Sequence, residues 1–272
     1  MKQLLKMELK RAYTGGWMKI AVIMCFLLAA EHFVLRVLPL DILSDYNPYV
    51  ASSTPENLLS GWMAGTPSLE NEIYQYVVYI MIILPFGTSY YSDVKSGLIK
   101  NIYTRQNKLK YLISKSIAVF ASAGTIAVMP LVMNILLCST ILPAIFPEWS
   151  SGPNCDGLFV YMYYENYIIY YLAIFLMIFV YAGLIAGLAL SISMFARNIF
   201  FVATSPFLIC MVSDRLLAFF NSRLLWGCQV SRIFDVVQIG AKYEEGMIFL
   251  AIVLLVSGYI TFIAKGACDE TF

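Results

Sequence analysis

The chain has 272 residues, of which 60% are hydrophobic and only 13% are charged, and its formal net charge is +1. Soluble domains carry about 25% charged residues, so this composition leaves too few polar side chains to cover a water-soluble globule of this length. The chain is therefore predicted to be an integral membrane protein, and no nucleic-acid partner is expected.

Residues 1–14 have apolar and basic positions at helical spacing and predict an amphipathic helix. Leu4, Leu9 and Ala12 share one face, whereas Lys6 and Arg11 are expected on the other. Two interpretations stay open. The segment is either an interfacial helix attracted to anionic membrane lipids or a simple basic anchor for the first span.

Six windows pass the length test of about 20 largely apolar residues for a membrane span. They are 17–38, 73–91, 116–142, 167–194, 199–220 and 247–264. With the N-terminus inside, 13 of the 18 Lys and Arg residues fall on the cytoplasmic side, so both termini are expected in the cytoplasm. The prediction is a single all-α transmembrane domain that crosses the cell membrane six times.

The segment 92–115, between the second and third windows, is the most informative part of the chain. It has six basic residues and one acid, which is typical of a cytoplasmic loop. Four apolar residues within it recur at helical spacing and predict a short amphipathic helix with a face for a protein partner. They are Leu98, Ile99, Ile102 and Tyr103.

Charged or titratable side chains inside spans are costly and call for a functional explanation. Glu31, His32 and Arg36 fall in the outer part of the first window, and Asp214 and Arg215 interrupt the fifth. Two alternatives stay open. These residues either line a polar pathway or have a structural role, in which those of the first window reach the outer membrane surface or pair with Asp214 and Arg215.

The fourth window contains two glycines, Gly183 and Gly187, at the four-residue spacing that lets helices approach closely. This face packs either against a second subunit or against another span of the same chain. The pattern alone does not separate the two arrangements.

The outer segment 221–245 mixes apolar and charged residues, which predicts a short helical hairpin at the outer membrane surface. Cys228 lies in this segment, and Cys155 lies in the preceding outer segment. A disulfide between them and two free thiols both remain open, because the sequence does not show whether the two backbones approach closely enough for a disulfide.

The search for catalytic motifs indicates that this chain is not an enzyme. His32 is the only histidine, which excludes an H-E-x-x-H zinc site. Glycine is never followed by lysine, so the phosphate-binding loop G-x-x-x-x-G-K-[ST] is absent. We expect no cofactor or metal on this chain, and any ATP-driven work would need a partner protein.

Together these features resemble the permease subunit of a type-2 ABC exporter. In that family the loop after the second span has an acidic residue, a glycine, apolar residues, a polar turn and a closing lysine. Asp93, Gly97 and Lys115 occupy these positions, with the apolar residues at 98–103. The polar turn reads Arg105-Gln106-Asn107, whereas proline is common there in the family.

The resemblance implies that two permease copies, identical or paralogous, assemble in the membrane with separate ATPase subunits that bind ATP and Mg²⁺. The short helix of the loop would contact the ATPase through Leu98, Ile99, Ile102 and Tyr103, and Lys95, Lys100 and Arg105 would orient it by charge.

The small size and the acidic outer loop are similar to bacterial permeases for bacteriocin export or immunity. An amphipathic peptide is therefore the expected substrate, and a lipid-linked glycan and a hydrophobic drug are the alternatives. The competing classes are an ATP-independent secondary transporter, coupled through Glu31, His32 and Asp214, and a membrane scaffold.

Overall fold

The computed structural model of the protein describes residues 2–40, 57–65, 68–144, 158–220, 222–236 and 244–268. Every regular element within these ranges is a helix, as expected for an all-α protein. In chain order the helices are α1 (Lys2–Thr14), α2 (Gly16–His32), α3 (Leu58–Gly61), α4 (Leu69–Met81), α5 (Ser89–Lys95), α6 (Leu98–Tyr103), α7 (Lys108–Cys138), α8 (Val160–Glu165), α9 (Tyr167–Ser193), α10 (Ile199–Ala218), α11 (Arg223–Gly227), α12 (Ser231–Phe234), α13 (Glu244–Leu255) and α14 (Thr261–Cys268). A π-helical segment, Phe33–Val37, extends α2, and a second one, Val256–Ile260, joins α13 to α14.

Among the described residues, five helical segments are long and apolar enough to cross a membrane, and they coincide with five of the six predicted windows. They are Gly16–Val37, Lys108–Cys138, Tyr167–Ser193, Ile199–Ala218 and Glu244–Cys268. Large apolar side chains stay exposed on α2, α10 and α13, as expected for surfaces that face hydrocarbon rather than water. Examples are Phe26, Leu27, Phe200, Leu208, Ile248 and Ile252.

The second predicted window, 73–91, is not one continuous helix. Helix α4 ends at Met81, residues 82–88 form turns, and α5 begins at Ser89. Pro85 lies in the break. It has no backbone N–H, and its ring would clash with the carbonyl of Met81 in a continuous helix.

The broken segment nevertheless covers the length of α2. Near its start Glu70 accepts a hydrogen bond from Arg36 at 2.9 Å, and near its end Asp93 accepts one from Arg11 at 2.6 Å. Arg36 and Arg11 flank opposite ends of α2, so residues 70–93 run antiparallel to it from one end of the bundle to the other. We call the end with Asp93 and α6 the α6 end, and the opposite end, with α11 and α12, the hairpin end.

Asparagine side chains begin three of the long helices. Asn107 accepts a hydrogen bond from the N–H of Leu109 at 2.9 Å at the start of α7. Asn166 and Asn198 cap α9 and α10 in the same way. An N-cap oxygen satisfies backbone donors that have no partner within the helix, so each asparagine fixes where its span starts.

Small residues allow close packing of α7, α9 and the π-helical segment Val256–Ile260. Gly183 lies against the ring of Phe120, and Gly187 lies against the ring of Tyr259. Tyr259 also donates a hydrogen bond to the carbonyl of Gly183 at 2.6 Å. The glycine face of α9 is therefore buried within this chain, which favours the second of the two alternatives for Gly183 and Gly187.

Candidate functional site

Two acidic and two basic side chains meet with one tyrosine at the α6 end. Lys115 Nζ donates hydrogen bonds to Asp93 Oδ2 at 2.5 Å and to Glu8 Oε2 at 3.1 Å. Arg11 donates to Asp93 Oδ1 at 2.6 Å and to Glu8 Oε1 at 2.9 Å. The Tyr111 hydroxyl donates to Asp93 Oδ2 at 2.8 Å. We call these five residues the buried charge cluster, and its formal charges balance.

The buried charge cluster joins α1, α5 and α7. Glu8 and Lys115 are fully buried, and Asp93 is nearly so. The Lys115 ammonium also lies 4.2 Å from the centre of the Phe86 ring, in the turn before α5. Buried charges are tolerated only when they are paired and hydrogen-bonded, so the three segments are held in one arrangement.

The cluster lowers the pKa of the Asp93 carboxyl. Burial opposes ionisation of Asp93, but hydrogen bonds from Arg11 and Lys115 outweigh it and hold the pKa below its ordinary value. Because the folded-state pKa is the lower one, ionised Asp93 contributes stability above the unfolded-state pKa of about 3.9. This contribution is lost as the pH falls from there through the folded-state pKa.

We therefore expect Asp93 to make the stability of the protein pH-dependent in the acidic range. The melting temperature of the wild type in detergent should fall below about pH 4, as Asp93 becomes protonated. The melting temperature of Asp93→Asn should fall less over the same pH range. The difference between the two proteins in the slope of melting temperature against pH gives the contribution of Asp93 apart from that of the other carboxylates. Equal slopes would contradict its assigned ionised state.

Helix α6 forms where the sequence predicts a short amphipathic helix, but most of its apolar residues face inward. Gly97 has a φ of 72°, a left-handed conformation that favours glycine, and it turns the chain between α5 and α6. Ile99 is 1% exposed, and Ile102 and Tyr103 pack half-buried against the core. Leu98 is 37% exposed. The prediction that all four side chains fill a groove on a partner is therefore wrong for Ile99 in this conformation.

The exposed surface around α6 is cationic. Lys95, Lys100, Arg105 and Lys110 are all exposed. Asp93 is the one acidic residue in 92–115, and it is buried in the cluster. A partner that binds this surface would meet positive charge around the exposed side chain of Leu98.

The titratable residues of the first predicted span lie near the hairpin end but do not share one site. His32 is buried, and its Nδ1 lies 3.1 Å from the amide nitrogen of Asn134 on α7. Arg36 pairs with buried Glu70, whereas Glu31 is exposed. The first span is thus linked to α7 and α4 at this end.

Within the described residues, Glu31, His32 and Arg36 do not pair with Asp214, so the predicted pairing between the two spans is wrong. The two carboxylate oxygens of Asp214 accept hydrogen bonds from the backbone N–H groups of Val230 at 2.7 Å and Ser231 at 2.9 Å. Asp214 therefore anchors the segment between α11 and α12 to α10. Arg215 lies beside it and lines a cavity of about 200 Å³ between α4, α10 and the hairpin.

Cys228 is a free, buried thiol that donates a hydrogen bond to the carbonyl of Leu224 at 3.3 Å. The predicted alternative of a disulfide also involves Cys155, which lies outside the described residues. In the described parts of the chain, no three His, Cys, Asp or Glu side chains form a group that could hold a metal ion.

Sequence reasoning missed Glu8, Tyr111, Glu70 and Asn134, and it placed Arg11 on the exposed face of α1. One signal for the cluster was present. Glu8 lies four residues from both Leu4 and Ala12, so it shares their face of α1. An acid on the apolar face of a basic helix indicates a buried cationic partner.

Comparison of the chain with protein-family models, curated proteins and solved structures gave no match. Family membership is therefore not assigned. The function is inferred from the loop pattern and from the geometry of the α6 end.

Proposed function

We propose that the chain is the transmembrane subunit of an ATP-driven exporter of the type-2 ABC class. ATP and Mg²⁺ would be bound by a separate ATPase subunit. The observation that carries the proposal is the construction of α6. One side of this short helix packs on the bundle, its other side is exposed and cationic, and the preceding helix is fixed by the buried charge cluster.

In this proposal the α6 end lies in the cytoplasm of a bacterial cell, and the chain crosses the cell membrane six times. The broken window 73–91 would make the second crossing, since the flanking Glu70 and Asp93 lie at opposite ends of α2. Gly266 of α14 packs against Leu112 near the start of α7, so both ends of the described chain lie at the α6 end. This arrangement agrees with both termini in the cytoplasm.

The surface around α6 would bind an acidic groove on the ATPase. Leu98 offers an apolar contact, and the surrounding Lys95, Lys100 and Arg105 offer positive charge, while the one acid of residues 92–115, Asp93, is buried. Complementary charge at such an interface raises the association rate and fixes orientation.

Movement of the ATPase would reach the spans through the buried charge cluster. Asp93 is two residues before the end of α5, and its partners Lys115 and Arg11 lie on α7 and α1. A displacement of α6 would therefore displace the ends of two other helices, because breaking these bonds leaves buried charges unpaired.

The complete transporter would contain a second copy of this permease or a paralogue. The exposed apolar faces of α2 and α10 are available for lipid or for that copy. An amphipathic peptide is the proposed substrate, ahead of a lipid-linked glycan or a hydrophobic drug. Near the hairpin end an apolar cavity of about 190 Å³ between α3, α7 and α9 is lined by aromatic side chains that include Trp62, Tyr171 and Phe175. Such a lining suits the apolar part of an amphipathic molecule.

The proposal is tested by purifying the tagged chain in mild detergent and identifying proteins that copurify. We expect a subunit that contains the G-x-x-x-x-G-K-[ST] motif and hydrolyses ATP. Leu98→Asp should reduce its recovery by about tenfold or more, equivalent to about 1.4 kcal/mol, because it places a carboxylate in the contact with an acidic groove.

Leu109→Asp is the matched control, because Leu109 is a similarly exposed leucine of the same segment that lies outside α6. Equal loss from both variants would contradict a specific role of α6. If no ATPase copurifies with the wild type and transport follows a proton gradient without ATP, the secondary-transporter alternative replaces the exporter.

A further inference from the structure

Three lysines form a stripe on the exposed side of α1. Lys2, Lys6 and Lys10 recur every four residues and are exposed. The buried residues of this helix, Leu4, Glu8 and Ala12, lie on the opposite side. At a rise of 1.5 Å per residue, the lysine stripe extends over about 12 Å.

The buried charge cluster fixes the direction in which the stripe points. Glu8 and Arg11 pair with Lys115 and Asp93, so α1 cannot rotate about its axis without breaking buried ion pairs. The Tyr13 hydroxyl adds a hydrogen bond, 2.8 Å long, with Thr125 in the middle of α7. The stripe is therefore a preorganised surface rather than a loose basic tail.

The charge of the stripe is not neutralised within the described chain. The one acid of α1, Glu8, faces inward and pairs with Lys115 and Arg11. None of the ion pairs found in the described ranges includes a lysine of the stripe. An anionic ligand is the complement of this surface.

The residues that follow α1 have the composition of a membrane interface. Immediately after α1, Trp17 and Ile20 at the start of α2 are 60% and 45% exposed, and Lys19 between them is exposed as well. Tryptophan and lysine are typical of the membrane interface, where the ring lies at the headgroup level and the ammonium meets phosphate. The apolar outer face of α2 continues from there toward the hairpin end.

We propose that the lysine stripe of α1 binds the headgroups of anionic phospholipids at the α6 end of the bundle. The exposed lysines of the α6 surface have a different task, the contact with a protein partner. The two surfaces therefore provide matched sets of three lysines, Lys2, Lys6 and Lys10 against Lys95, Lys100 and Lys110. The lipid proposal needs no ATPase, so its failure is distinct from failure of the proposed function.

The test uses the full-length chain purified in detergent and reconstituted into nanodiscs of mixed phosphatidylglycerol and phosphatidylcholine. Native mass spectrometry after partial delipidation counts the phospholipids that remain bound. The wild type is compared with Lys2→Gln/Lys6→Gln/Lys10→Gln and with the matched triple variant Lys95→Gln/Lys100→Gln/Lys110→Gln. Both variants lose three positive charges from exposed positions, and melting in pure phosphatidylcholine checks that both stay folded.

We expect the wild type and the α6-surface variant to retain phosphatidylglycerol in preference to phosphatidylcholine. The α1 variant should lose most of this preference, at about fivefold for each lysine removed. Added salt should weaken the preference in the wild type. The proposal is overturned if the wild type shows no preference, if both triple variants lose it equally, or if the α1 variant keeps it.

Discussion

Replacing Lys115 by methionine is expected to destabilise the protein by about 3–5 kcal/mol, the cost of leaving buried partners of an ion pair unpaired. Methionine fills a similar volume but offers no charge to Asp93 or Glu8, both of which are buried. The measurement is thermal or denaturant unfolding in detergent. Lys110→Met is the matched control on the same helix, because Lys110 is exposed and should change stability little.

Neutralising a partner should restore part of the loss. In Lys115→Met/Glu8→Gln one buried carboxylate is removed together with the ammonium, and Arg11 remains to balance Asp93. We expect this double variant to be more stable than Lys115→Met alone. Two results would contradict the described role of the buried charge cluster. One is that Lys115→Met melts like the wild type, and the other is that Glu8→Gln lowers the stability of Lys115→Met further.

The second large effect is expected from Gly187→Ala. An added methyl group would come within 2.5 Å of the Tyr259 ring, closer than carbon atoms approach one another. Tyr259 would have to move and would lose its hydrogen bond to the Gly183 carbonyl. Overpacking of this kind costs about 1–3 kcal/mol, which unfolding in detergent would detect.

Gly16→Ala controls for the general effect of replacing glycine by alanine. Gly16 has open space around the position of a new methyl group, so this variant should be at least as stable as the wild type. The combination Gly187→Ala/Tyr259→Leu should recover stability, because the smaller side chain makes room. Equal behaviour of Gly187→Ala and Gly16→Ala would refute close packing at Gly187.

Hydropathy predicted the five long helices because a sufficiently long apolar run identifies a span without information on tertiary contacts. The same averaging concealed the break near Pro85, since Ile82, Ile83 and Leu84 keep the window apolar while the proline interrupts the helix. Short-range patterns also placed α6 correctly. Which side of α6 is buried depends on α7, so the loop sequence alone did not determine it.

Local patterns indicate a buried cationic partner for Glu8, but they do not identify the other members of the buried charge cluster, because those members are far apart in the sequence. Arg11 and Asp93 are separated by 82 positions, and Glu8 and Lys115 by 107. Arg11 was placed with the exposed lysines because of its charge, although it lies three residues after Glu8 and seven after Leu4, a spacing that puts it near their face of α1. Asp214 was misassigned for a related reason, since its partners are backbone groups of a hairpin whose position the sequence does not reveal.

The separation between Glu8 and Lys115 also sets an order for assembly during synthesis. At about 5–20 residues per second, Lys115 is made about 5–20 s after Glu8. During that interval α1 has its internal pair between Glu8 and Arg11 and, once residue 93 has been made, the pair between Arg11 and Asp93. A ribosome that stalls before α7 therefore leaves the carboxylates of Glu8 and Asp93 without the ammonium of Lys115.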